Sequence, residues 1–165
     1  MTIEIDIAIE STHWDSMALD ATVASAVEAA RAESLVALAP VAEISLLFCD
    51  DARIQELNRE WRRIDKPTNV LSFPAAEPSG LAQAPLLGDI AIAFETVDRE
   101  RIEEGKSFSD HLNHMIVHGF LHLVGFDHEN EAEAELMEAV ERRALARLGI
   151  SDPYAATDPV GNVSS

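Results

Sequence analysis

Between Phe108 and Val124 the chain carries apolar side chains at Leu112, Met115, Ile116, Val117, Phe120, Leu121, Leu123 and Val124. They fall on every side of a helix rather than along one stripe, and such a helix has to be surrounded by the rest of a domain. Ser107 and Asp110 resemble a capping box at its start, and Gly125 stands where a left-handed residue ends a helix. Yet this helix also bears His111, His114, His118 and His122, and His128 follows it, so five of the six histidines lie between positions 111 and 128. Buried polar groups are costly without partners, so this many histidines on a central helix point to something they bind.

His118 and His122 lie one turn apart on one helical face, close enough to reach a single divalent ion. A left-handed stop at Gly125 lets the chain turn back and deliver His128 from outside the helix. Three neutral nitrogens suit zinc and leave its fourth tetrahedral position open, the pattern of a catalytic rather than a structural site. Asp127 and Glu129 could orient the rings as acceptors. His111 and His114 project from nearly the same face, so geometry alone leaves other triplets open. A metalloprotease of the His-Glu-x-x-His type would have a glutamate at position 119. Gly119 stands there, which argues against peptide hydrolysis, although Asp127, Glu129 or Asp89 could take a base's place.

The run His118-Gly119-Phe120-Leu121-His122-Leu123-Val124-Gly125-Phe126-Asp127-His128 resembles the signature of the YbeY family, with Phe126 where that family usually has tyrosine. Leu57 to Arg62 followed by Asp65 to Pro74 is similar to a second motif of the family, with Trp61 in place of its usual tyrosine, and Gly88-Asp89-Ile90 matches a third. The resemblance implies an α+β fold and a single-strand-specific, metal-dependent endoribonuclease acting in ribosomal RNA maturation and ribosome quality control. It implies one zinc held by His118, His122 and His128, with Arg62 as the functional arginine, suited to clamp a phosphate and to offset charge in the transition state. His114, Asp127 and Asp89 are candidates for orienting ligands or facing the substrate. A small-subunit ribosomal protein and an Era-type GTPase are the partners it implies. The attacking group, the RNA 2′-hydroxyl or a metal-activated water, is left open.

Charge works against that reading. Twelve basic against thirty acidic residues give a formal net charge of -18, the wrong sign for holding RNA by its phosphates. Arg53, Arg59, Arg62, Arg63 and Lys66 are nevertheless clustered before the second motif and could form a local basic lip. The acidic surface also admits a different class of function, a ribosome-assembly binding module with a structural zinc. A fourth ligand from His111 or His114 would favour it.

At 165 residues the chain is expected to be one domain over 1–150, with a loose tail at 151–165 rich in Pro, Ser, Asp and Gly. Alternating apolar and acidic residues at the start exclude a signal peptide, and no apolar stretch reaches membrane-spanning length. A single cysteine, Cys49, is expected to be a small core residue, and a reducing cytoplasm is the expected compartment. Periodicity predicts strands over 2–10, 44–49, 70–73 and 86–94. It predicts helices over 15–37, from Asp50 to Arg62, over 95–104, over the histidine run, and over 131–148. The expected fold is α+β, a small mixed four-stranded sheet flanked by about five helices with the histidine helix buried at the centre.

Overall fold

The computed structural model describes residues 2–155. Four strands, β1 (Thr2–Ile9), β2 (Val41–Cys49), β3 (Val70–Pro74) and β4 (Leu86–Ala93), form one sheet in the order β1-β2-β4-β3. β1, β2 and β4 run parallel, and β3 pairs antiparallel with β4 at the edge. Five α-helices accompany them: α1 (Leu19–Ser34), α2 (Asp51–Arg62), α3 (Phe94–Glu103), α4 (Phe108–Leu123) and α5 (Glu131–Arg147). The mixed sheet and the buried central helix are as the patterning predicts.

Alternation along the strands divides the apolar side chains between the two faces of the sheet. Ile44, Leu46 and Phe48 of β2 and Ile90 and Ile92 of β4 meet Val23, Val27, Ile116, Phe120 and Val140 from α1, α4 and α5 in the main core. Cys49, Leu71, Ala91 and Ala93 on the reverse face meet Ile54 of α2 in a smaller one. α4 therefore lies between the sheet and three other helices, α1, α3 and α5, which explains why it is apolar all round.

The first helix departs from expectation. The helix expected over 15–37 starts only at Leu19, and residues 12–14 ahead of it form a separate 3-10 turn that seats Trp14. Its ring is fully buried, meets Phe48, Phe94 and Phe108 edge-on, and donates from Nε1 to the Cys49 carbonyl at 2.9 Å. Ser11 caps that turn, and α1 starts at Leu19 without a side-chain cap. α1 also ends at a left-handed Leu35, before Pro40 is reached. Asp50 caps α2 as expected, accepting from the Arg53 amide at 2.9 Å. The loop between β3 and β4 holds a 3-10 turn, Pro78–Gln83, which anchors itself through buried Leu81. Of the expected loose tail, residues 156–165 lie outside the described residues, and Tyr154 contacts α5 through Glu141.

Candidate metal centre and its cleft

Ser107 Oγ accepts from the Asp110 amide and starts α4 in the register that aligns its histidines. The other end closes in a Schellman arrangement: the Gly125 amide donates to His122 O and the Phe126 amide to Leu121 O, with Gly125 at φ 101°. Pro78 packs where a β-carbon on Gly125 would stand, so the β3–β4 loop borders the site. The reversed chain then brings His128 alongside the helix, its backbone amide held by Asp127 Oδ1 at 2.8 Å.

His118, His122 and His128 each offer a ring nitrogen, and these nitrogens lie within 4.8 Å of one another. Nε2 of His118 and Nε2 of His122 are 3.1 Å apart. A tetrahedral zinc with bonds of about 2.0–2.1 Å sets neighbouring nitrogens roughly 3.3 Å apart, so the pair already has the spacing that such an ion requires. Burial, with the neighbouring His118 and His128, pushes His122 down to about 4, so its ring is neutral near pH 7. A neutral ring is the form that binds metal.

Orientation comes from α5. Glu141 is fully buried, and its Oε2 lies 2.5 Å from Nδ1 of His118, which turns that ring's Nε2 toward His122. The other carboxylate oxygen accepts from the Tyr154 hydroxyl and faces Nε2 of His114 at 3.5 Å. Burial alone would raise the Glu141 pKa, but hydrogen bonds from His114 and His118 outweigh it and hold the group at about 2. The result is a carboxylate–histidine arrangement of the kind that fixes a ligand's tautomer and orientation. Neither Glu141 nor Tyr154 stands out in a linear reading; an acidic residue among Met137, Val140, Ala144 and Leu145, on the buried side of α5, is the signal that was there to find.

The remaining histidines have other partners. His111 Nε2 meets Glu100 Oε1 at 2.8 Å, and Glu100 also accepts from Asn69. His114 faces Glu141 and Tyr154. Neither joins the three-histidine group among the described residues, so the triplets left open by spacing reduce to His118, His122 and His128.

The group opens into a cleft of about 890 Å³ whose walls include Arg62, Lys66, Asn69, Ser72, Pro78 and the three histidines. Of the five clustered basic residues, Arg62 and Lys66 line it. Arg53 is paired with Glu10 and Glu56, and Arg59 with Asp65. Arg63 forms the left-handed cap of α2. Arg62 Nη2 donates to the Ser72 carbonyl at 2.6 Å, and its guanidinium lies 5.7 Å from the centroid of the Phe73 ring. Asp89 is away from the histidines, exposed on the reverse face of the sheet. Glu129 meets Glu133 through its amide. Gly119 packs against the sheet: a β-carbon there would come within 2.9 Å of Ile90 Cγ2 and 3.3 Å of Ser72 Oγ, so α4 has no room for a side chain at this position.

Residues 4–149 match the family described as Endoribonuclease YbeY. A protein of that description from Methylocella silvestris is 55% identical over 160 residues, covering 96% of this chain and 89% of its own. One from Rhodopseudomonas palustris is 54% identical over 159 residues, covering 94% of each. Another, from Rhizobium etli, is 62% identical over 117 residues, covering 70% of this chain and 68% of its own. The solution structure of TM1509 from Thermotoga maritima has the same fold, with a TM-score of 0.56 at 23% identity over 88% of this chain and 91% of that one.

Proposed function

The chain belongs to the YbeY endoribonuclease family, and we propose that it is a single-strand-specific, metal-dependent endoribonuclease of ribosomal RNA maturation and ribosome quality control. The observation that carries this reading is the meeting, in one cleft, of three convergent histidine nitrogens with Arg62 and Lys66. His118, His122 and His128 are the ligands, and an all-nitrogen set with Glu141 behind it favours zinc. A zinc ion there supplies Lewis-acid polarisation of a phosphoryl oxygen and a lowered pKa for water.

Arg62 is the residue that meets the phosphate. Its bond to Ser72 fixes the guanidinium while leaving further N–H groups to pair with phosphoryl oxygens and offset charge as the bond breaks. His114 braces Glu141 behind His118, Asp127 holds the His128 turn, and Asp89 faces substrate from the reverse side of the sheet. The excess of acidic residues disfavours bulk attraction of RNA, so recruitment falls to a basic partner, for which a small-subunit ribosomal protein and an Era-type GTPase are the candidates. The compartment is the cytoplasm. No helix among the described residues is long and apolar enough to cross a membrane.

The test is cleavage of end-labelled single-stranded RNA by the zinc-loaded protein, beside a chelator-treated sample, a duplex substrate and Arg62→Ala. The duplex and the chelated sample should stay uncut. Arg62→Ala should keep its fold and metal and lose roughly 10²- to 10³-fold in rate, as expected when a charge-stabilising donor is removed. Full activity in that variant rejects the role given to Arg62.

A further inference from the structure

β3 is an outer strand of the sheet, so one of its edges meets no other strand. Alternation fixes which backbone groups point there. The Ala93 amide donates to the Asn69 carbonyl at 3.0 Å and the Ala75 amide to the Leu87 carbonyl at 3.0 Å, so positions 69, 71, 73 and 75 are those that bond across to β4. Positions 70, 72 and 74 turn their backbone groups outward. The Val70 amide is taken by Asn69 Oδ1 at 2.6 Å, and Pro74 has no N–H. Among the described residues, the Ser72 amide is therefore the one outward donor of β3 left without a partner. An extended peptide pairing with this edge would need a row of donors and would find one.

That donor stands beside Arg62. In an antiparallel strand the N–H and C=O of one residue project to the same side, and the Ser72 carbonyl accepts from Arg62 Nη2 at 2.6 Å. Guanidinium and amide thus flank one spot in the wall of the histidine cleft. The spot is held from behind. Ser72 Oγ donates to the Gly119 carbonyl at 2.9 Å, and Gly119 adjoins His118 in α4. Because position 119 has no side chain, the strand lies close against the helix, and both donors are fixed relative to the three histidines before any ligand arrives.

We propose that the Ser72 main-chain amide is a second phosphate donor, forming with Arg62 a two-donor hole for a non-bridging oxygen of the phosphate to be cut. Charge grows on that oxygen in the transition state, and a preset N–H stabilises it without the reorganisation that water would require. The guanidinium supplies charge and the amide supplies direction. The inference rests on the nuclease reading above and deepens it by adding a catalytic group that most side-chain substitutions at position 72 would leave in place.

The test titrates the isotope-labelled, zinc-loaded full chain with a 2′-O-methyl pentauridylate, following the Ser72 amide by NMR and binding by the anisotropy of a dye-labelled strand. The Ser72 amide proton should move downfield saturably, with the same midpoint as the anisotropy. Cleavage is then compared in two variants. Ser72→Pro removes the N–H at an outward edge position, where proline is tolerated, and Ser72→Ala keeps the N–H while losing the hydroxyl. The kcat of Ser72→Pro should lie roughly 10²- to 10³-fold below that of Ser72→Ala, the range for one lost oxyanion donor, with equal zinc affinity in the two. If Ser72→Pro does not fold, the resonance decides alone. A strand that binds and leaves the Ser72 amide unmoved overturns the proposal, as does equal kcat in the two variants; cutting of RNA by the native chain then leaves the nuclease reading standing. A native chain that neither binds nor cuts single-stranded RNA sinks both. A Ser72 shift that answers to an extended peptide and not to the oligonucleotide assigns the edge to strand pairing and overturns the proposal as well.

Discussion

Glu141 Oε2 sits 2.5 Å from Nδ1 of His118, at a position fully withdrawn from solvent. The carboxylate therefore sets the tautomer and the angle of one ring of the three-histidine group without lining the cleft. Removing its charge while keeping its shape should loosen the centre and spare the fold. In Glu141→Gln, zinc affinity measured by competition with a chelating dye should fall about 10- to 100-fold, with the circular dichroism spectrum retained. Unchanged affinity would mean that the charge of Glu141 contributes nothing to the centre.

Gly119 poses a packing test. Alanine is the better helix former by about 1 kcal/mol, but its β-carbon would press on Ile90, whose branched side chain has little freedom to move aside. Overpacking of this kind costs about 1–3 kcal/mol, so the contact should prevail. Urea unfolding of Gly119→Ala should show a net loss of up to about 2 kcal/mol. A stabilised variant would show that the helix can shift away from the sheet.

A pH-dependent contribution comes from Glu100. Burial pushes its carboxyl up, but hydrogen bonds from His111 and Asn69 prevail and hold it below its ordinary value. A group depressed in the folded state contributes stability that is present above its unfolded pKa and lost as the pH falls through the folded one. The stability difference between the native chain and Glu100→Gln, measured by urea unfolding, should thus be larger at about pH 6 than at about pH 3.5. A difference that is the same at both would remove the carboxylate from the account of acid stability.

Cys49 offers a reporter of opening. It is fully buried, and burial, together with the charges of Asp50 and Glu10, pushes its thiol up to about 12. Alkylation near neutral pH should leave the folded chain unmodified and label it fully in denaturant, as read by mass spectrometry. Rapid labelling of the folded protein would show that α2 lifts from the end of β2 on its own.

The parts of this site that are legible in the sequence are those that lie close together in it. His118, His122, Gly125 and His128 span one helix end and its reversal, so helical periodicity and the stereochemistry of a left-handed stop suffice to assemble them. Glu141 and Tyr154 reach their partners across 23 and 13 residues, through the docking of α5 on α4, and no local rule specifies that docking. The basic lip is a converse case. A cluster in sequence suggests one surface, but helix α2 turns Arg53 and Arg59 toward Glu10, Glu56 and Asp65 while Arg62 and Lys66 line the cleft. Trp14 shows the same limit in the fold: its burial among Phe48, Phe94 and Phe108 forms a 3-10 turn at 12–14, and α1 begins at Leu19 rather than at 15.

The Tyr154–Glu141–His118 chain of contacts also has a meaning in time. During synthesis the histidines emerge well before the carboxylate that aims them, and that carboxylate emerges before the phenol that completes its bonding. Until residue 154 has been made, Glu141 has a buried oxygen without this donor, and the centre it steadies is unfinished. An RNA-cutting protein ordered in this way would gain its full competence only late in its synthesis, once α5 and the tyrosine beyond it are in place.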